Sequence, residues 1–208
     1  MTSQELVDAF TAKAQAVNAV VREEPTMAAA LQYVADVCAN KSPAEILADE
    51  PDAEKGPLGP NKQPTRVHKI VAAPQLPKED FDQLAKLCEE RGLRCIHEGV
   101  RAHLAGIDVG VGLAELGVAA SGTCLCNVDN EDVRLSGMVS EISILLLKKS
   151  AIYPDLPSVA DKLRERVGHD NPSYTTFITG PSRTADIERV AAVGVHGPLE
   201  LHIILLEG

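Results

Sequence analysis

The chain has no tryptophan, and aromatic residues make up only 3% of its 208 positions. Nucleobases therefore find little to stack on, and a formal net charge of -10 at pH 7 repels a phosphate backbone, so nucleic acid is a poor partner. No stretch approaches the roughly 20 apolar residues that cross a bilayer. The amino-terminal MTSQELVDAF lacks the basic-then-apolar order of a secretion signal, and a cytoplasmic location is expected. The five cysteines, Cys38, Cys88, Cys95, Cys124 and Cys126, are odd in number and scattered, unlike a disulfide framework. Cys124 and Cys126 form a C-x-C pair in an apolar stretch, expected as a strand that alternates faces and points its two thiols apart. Metal and iron–sulfur sites need about four convergent ligands, so no metal is expected in this chain. There is also no P-loop, no H-E-x-x-H, no G-x-S-x-G and no G-x-G-x-x-G opening a helix after a strand, and no cofactor is predicted here.

What is present is aliphatic: apolar residues are 45% of the chain. The length suits one α/β domain, alone or with a small helical appendage. Over residues 1–40, apolar positions recur at helical spacing, first Leu6, Phe10, Ala14 and Val17, then Met27, Leu31, Val34 and Cys38. Two helices broken at Glu24-Pro25-Thr26 are predicted, with Pro25 in the first turn of the second. Residues 41–64 shift to Pro, Gly, Asp, Glu and Lys and read as a surface connector with one short helical turn at Ala44–Leu47.

Residues 65–208 alternate. Strand-like VHKIVAA (Val67–Ala73), an amphipathic helix over Glu79–Arg91 stopped by Gly92, and an extended Leu93–His97 compose a β-α-β unit. A glycine-rich passage follows, with a short strand at Ile107–Val111, a brief helix near Leu113–Glu115, and a strand over Val118–Val128 interrupted at Gly122. After the polar turn DNEDVR and a short helical segment, ISILLL (Ile142–Leu147) reads as a strand covered on both faces. A helix over Leu156–Val167 and strands at Tyr174–Thr179, Val190–Val195 and Leu199–Leu206 complete the chain. The fold class is α/β: a single three-layer core with a mostly buried sheet, preceded by N-terminal helices.

The stretch TGPSRTADIERVAAVGVHGP (Thr179–Pro198) carries the candidate site. Gly180-Pro181 is a turn, and Ser182 then suits the N-cap of a short helix over Arg183–Glu188. A helix start beyond a strand offers free N–H groups to an anion, with Arg183 and the hydroxyls of Ser182 and Thr184 as further donors. Asp186 repels an anion, yet is placed to pin Arg183 or to accept a bond from a ligand hydroxyl. The plainer alternative is that Ser182 only caps, that Arg183 pairs with Asp186 or Glu188, and that His196 bonds the backbone at a strand end. His68, His97, His103 and His202 read as packed or edge histidines.

ITGPSRTADIERVAAVGVHGPLELHIILL (Ile178–Leu206) resembles the carboxy-terminal signature of the LUD family, the lactate utilisation proteins. Gly106–Thr123, Arg134–Leu147 and FTAKAQAVNAVV resemble further family segments, leaving only Lys41–Gln63 outside. The resemblance implies a fold related to ribose-5-phosphate isomerase, glucosamine-6-phosphate deaminase and CoA transferase. It implies a part in oxidising lactate to pyruvate with partner proteins, one of them similar to iron–sulfur proteins. Ser182, Arg183, Thr184, Asp186, His196 and Arg134 match the family pattern, and Ser121-Gly122-Thr123 approximates its Thr-Gly-Ser/Thr. The chain departs from that pattern at Ala120, Ser140 and Ser143.

Together these place an anion site, for a carboxylate or phosphate, on Ser182, Arg183 and Thr184, facing the Gly122 loop at the carboxyl ends of the strands, with Arg134 as a second cation and His196 as candidate base. The leading expectation is a subunit of a lactate-oxidising system whose iron–sulfur clusters sit in partners. A stand-alone enzyme or binding protein for a sugar phosphate or acyl-CoA, and a non-catalytic assembly module, are the alternatives; an oligomer is compatible with each.

Overall fold

The computed structural model describes residues 2–167, 174–184, 192–193 and 197–207. Helix α1 (Ser3–Ala16) begins with a reciprocal cap: Glu5 N donates to Thr2 Oγ1 at 3.3 Å, and Thr2 N donates to Glu5 Oε2 at 2.7 Å. Its buried face is Val7, Phe10 and Ala14. The helix stops at Asn18, which takes φ 67°, a conformation asparagine tolerates better than most side chains. The chain then forms strand β1 (Val20–Glu24), not the helical continuation that the spacing predicts. A non-local partner decides this, since β1 pairs in parallel with residues His202–Leu206. Helix α2 (Met27–Asn40) starts on Thr26, whose Oγ1 accepts from Ala29 N at 3.2 Å, so Pro25 stands before the cap and not in the first turn.

The predicted connector is packed against the body. Ala44, Glu45 and Ile46 are buried, and Glu45 is extended, bridged to Thr65, where a helical turn is predicted. Strands β2 (Lys55–Leu58) and β3 (Pro64–Arg66) form a hairpin. The Ala44 amide donates to the fully buried Asp108 at 2.8 Å, which anchors the segment from inside.

The rest of the chain runs through β4 (Ile70–Ala72), α3 (Lys78–Glu89), β5 (Arg94–Ile96), β6 (Ile107–Val118), β7 (Thr123–Asn127), α4 (Glu131–Val139) and β8 (Ser140–Lys148). It continues through β9 (Ile152–Tyr153), α5 (Ala160–Val167), β10 (Thr175–Ile178), β11 (Arg183–Thr184), β12 (Ala192–Val193) and β13 (Glu200–Leu206). A parallel sheet has the order β1-β13-β8-β6-β4-β5; β9 adds to it in parallel, while β7 and then β10 extend it antiparallel beyond β6.

Leu113–Glu115 lies inside the long strand β6, because Leu113 and Ala114 pair with Leu146 and Leu147, and the predicted helix there does not form. The predicted turn DNEDVR contains the start of α4, capped by Asn130 Oδ1, which accepts from Asp132 N at 2.7 Å. Arg183 and Thr184 are extended in β11, opposite Val193 and Ala192, so the helix predicted to begin after Ser182 is replaced at these positions by a strand pair.

The core has the expected three layers. On one face α2 and α3 place Leu31, Val34 and Leu84 against Val111, Ile144 and Ile204. On the other, α1 places Phe10 and Ala14 against Leu145, Leu147 and Ile203. Neighbouring residues of β8 thus serve opposite layers, as a strand covered on both faces requires. Cys124 and Cys126 both join the α1-side cluster while Leu125 joins another, so the expectation that the two thiols diverge is overturned. Residues two apart in a strand share a face.

Candidate functional site

At the β6–β7 turn, Gly122 takes φ 66°, and a Cβ there would collide with the Ala14 backbone nitrogen of α1. Glycine lets the turn pass directly beneath the helix end. Thr123 Oγ1 lies 2.6 Å from Ser121 Oγ and 2.7 Å from Thr179 Oγ1, a hydroxyl chain that ties the turn to the end of β10. Gly180, the next residue, takes φ 73°, and its missing Cβ would sit 2.5 Å from the Val17 carbonyl oxygen. That oxygen accepts a hydrogen bond from Arg183 Nη2. Arg183 therefore braces the chain against the end of α1, and at Arg183–Thr184 a strand stands where the start of a helix is predicted. Ser182 N donates to Pro198 O at 3.0 Å, closing the base of this excursion.

Beside it lies a groove of about 440 Å³. Its polar lining includes Arg134, Ser143, Thr179 and Ser182, and its apolar wall includes Met138, Tyr174 and Phe177, all three exposed. Arg134 stands in the first turns of α4, where Nη1 donates to the carbonyls of Val128 and Asp129, each at 2.7 Å. The Tyr174 ring lies 4.8 Å from its guanidinium carbon. Two backbone acceptors and an aromatic face fix the plane of this cation at the groove wall.

The groove adjoins the amino-terminal halves of β8 and β13, through Ser143 and Leu201, and runs along β10 to its carboxyl end at Ile178 and Thr179. The segments that enter those two strands, α4 and residues 197–198, supply its walls. Arg134 and Ser182 both line the groove, while Ser121, Gly122 and Thr123 do not line it and are tied to it by the bond between Thr123 and Thr179. Thr184 lies in β11. Asp186 and His196 lie outside the described residues.

Ser143, one of the departures from the family pattern, lines the groove. Ser140 does not: its Oγ donates to Ser136 O at 2.6 Å, and it fills the space beside Gly110. Ala120 is exposed, its amide donating to Pro154 O at 2.9 Å. Thr179, Met138 and Tyr174 were missed by sequence reasoning. Tyr174 and Thr179 bound a strand that it did find, yet nothing local shows which side of that strand faces a groove.

Burial pushes the thiols of Cys38 and Cys126 up to about 12 and that of Cys124 up as well, which makes them unreactive core residues. Among the described residues, no group of three or more His, Cys, Asp or Glu side chains is arranged to hold a metal ion, and no helix is long and apolar enough to cross a membrane.

The class that fold and site define is a three-layer α/β protein with a parallel sheet and an arginine-bearing, hydroxyl-lined groove. Within that class the chain belongs to the LUD domain family, whose family model matches residues 7–206. It is similar to the Escherichia coli protein named "Uncharacterized protein YkgG", 39% identical over 101 residues, which are 48% of this chain and 44% of that protein. It is also similar to "Lactate utilization protein C" of Geobacillus thermodenitrificans, 36% identical over 101 residues, 48% of this chain and 42% of that protein. The Bacillus subtilis protein of the same name is 35% identical over 101 residues, with the same coverage of 48% and 42%. The matched stretches span less than half the length of these curated relatives. The crystal structure of a DUF162 family protein from Deinococcus radiodurans shares the fold, with a TM-score of 0.55, 13% identity and 99% coverage of both chains.

Proposed function

We propose that this protein acts in lactate utilisation, as a subunit or accessory of a system that oxidises lactate to pyruvate, and that its groove holds the small 2-hydroxy or 2-oxo carboxylate. The observation that carries the reading is Arg134: a cation held in one plane at a groove wall, with the hydroxyl residues Ser143, Thr179 and Ser182 lining the same space. A guanidinium pairs with a carboxylate through directed N–H bonds, and hydroxyls both donate and accept, which suits the neighbouring hydroxyl or keto oxygen. The apolar wall of Met138 and Tyr174 suits a methyl group. The names carried by the relatives agree with this choice of ligand.

Oxidation of lactate to pyruvate releases the hydroxyl proton and the Cα hydrogen with its electron pair; the proposal sends that hydrogen and pair to a two-electron acceptor in a partner protein, which passes the electrons singly to iron–sulfur clusters there. Proton removal from the substrate hydroxyl is assigned to His196, because histidine is the side chain that ordinarily takes and gives a proton near neutral pH. Arg183 is left out of the ligand set, because it donates to Val17.

The test combines the protein with the products of its genetic neighbours and follows lactate-dependent dye reduction. Omitting this chain should abolish the reduction, and Arg134→Ala should lower kcat/KM by about 100-fold, the scale of a lost charge-assisted contact. Dye reduction that is indifferent to omission would overturn the reading. Stabilisation of the chain by ribose 5-phosphate or a CoA ester, with none from lactate or pyruvate, would replace it with a sugar-phosphate or acyl-CoA ligand.

A further inference from the structure

A second cavity, of about 560 Å³, lies at the amino ends of β4 and β5, lined by their first residues Ile70 and Arg94, and shares no lining residue with the groove. Its wall includes an ion network. Arg66, only 5% exposed, donates from Nη1 and Nη2 to the two oxygens of Glu50 at 2.9 and 2.6 Å, and from Nε to Gly106 O at 2.6 Å. Glu50 Oε1 also lies 3.2 Å from Nδ1 of His103, itself only 9% exposed. Burial works against the Glu50 charge, but the bonds from Arg66 and His103 outweigh it and hold the carboxyl below its ordinary range. An ionised Glu50 can only accept, so His103 offers it Nδ1–H, and Nε2 is the ring atom left for another partner. Among the described residues, Nε2 has no hydrogen-bond partner.

Around this network stand charges of both signs. Arg94, Asp49 and Asp52 all line the cavity, and none of them has an ion-pair partner among the described residues. A simple anion drawn to Arg94 meets these acids and Glu54, and a simple amine leaves Arg94 unmatched.

We propose that this cavity binds a small zwitterion carrying one ammonium and one carboxylate, an α-amino acid being the simplest. The carboxylate pairs with Arg94, and the ammonium donates to His103 Nε2 and faces Asp49 and Asp52. The site is independent of the lactate reading.

Isothermal titration of the whole chain against the twenty standard amino acids, propionate and ethylamine tests it. At least one amino acid should bind with a Kd tenfold or more below that of either singly charged probe. Arg94→Ala and His103→Gln should each weaken that binding at least tenfold, the scale of one lost charge-assisted bond, while Arg134→Ala in the groove leaves it unchanged. If no amino acid outbinds both probes, if the first two variants bind as the wild type does, or if Arg134→Ala weakens binding, the proposal falls. Should His103→Gln fail to show a cooperative melt, Arg94→Ala, an exposed position, decides alone.

Discussion

Asp108 is fully buried, yet each of its carboxylate oxygens is used: Oδ1 accepts from Lys41 Nζ at 2.7 Å and Ala44 N at 2.8 Å, and Oδ2 accepts from Ile70 N at 2.8 Å. Burial works against the Lys41 charge, but Asp108 and Glu141 more than offset it and raise the ammonium pKa. Asp108→Ala would strand two amides and a mostly buried cation, so a loss of about 3 to 5 kcal/mol is expected in urea unfolding. Glu50 makes a prediction in pH. Its folded pKa lies below the ordinary 4.5, so the unfolded chain binds the proton more tightly, and the stability it contributes is present above pH 4.5. That contribution fades as pH falls from 4.5 through the lowered folded value, leaving Arg66 and His103 beside a neutral carboxyl. In Glu50→Gln the corresponding part of the acid slope should vanish from melting curves taken between about pH 3 and pH 5, the window that runs down from the ordinary carboxyl value.

At the scale of elements, α1 earns its place by one side chain above all. Phe10 is fully buried in the α1-side cluster with Leu145, Leu147 and Leu205. Phe10→Ala should cost about 3 to 5 kcal/mol, read as a lower urea midpoint at unchanged slope. Thr2→Ala, which removes only the cap, should cost about 1 kcal/mol. The same element shows what was legible beforehand. The 3.6-residue spacing of Leu6, Phe10 and Ala14 announces a helix, but the series ends at Val17 and says nothing of β1. VVREE has no apolar alternation to mark it, and becomes a strand because the edge of β13 is open to it. Leu113–Glu115 fails for the same reason: three residues carry no period, and pairing with β8 decides.

At the scale of the molecule, the predicted division into a helical lead-in, a connector and an α/β domain meets a continuous set of contacts. α1 and α2 cover opposite faces of the sheet that β1 extends, and residues 44–46 are buried. Deleting residues 2–26 would bare Leu145, Leu147, Ile203 and Leu205 and reopen the β13 edge. The shortened chain is expected to lose its cooperative transition in far-UV circular dichroism; a melt with the midpoint of the full chain would show a separable appendage.

The alternation of amphipathic segments with runs such as ISILLL and LHIILL determines the α/β class without help, because a strand buried on both faces and a one-sided helix leave different periods in the chain. The family signature is equally local, and it pointed to Arg134 and Ser182. Only the tertiary structure decided that Arg183 braces Val17, that the groove opens at the amino ends of β8 and β13, and that Thr179 and Ser143 line it. Those outcomes depend on which distant backbone a side chain meets, and no spacing along the chain encodes that.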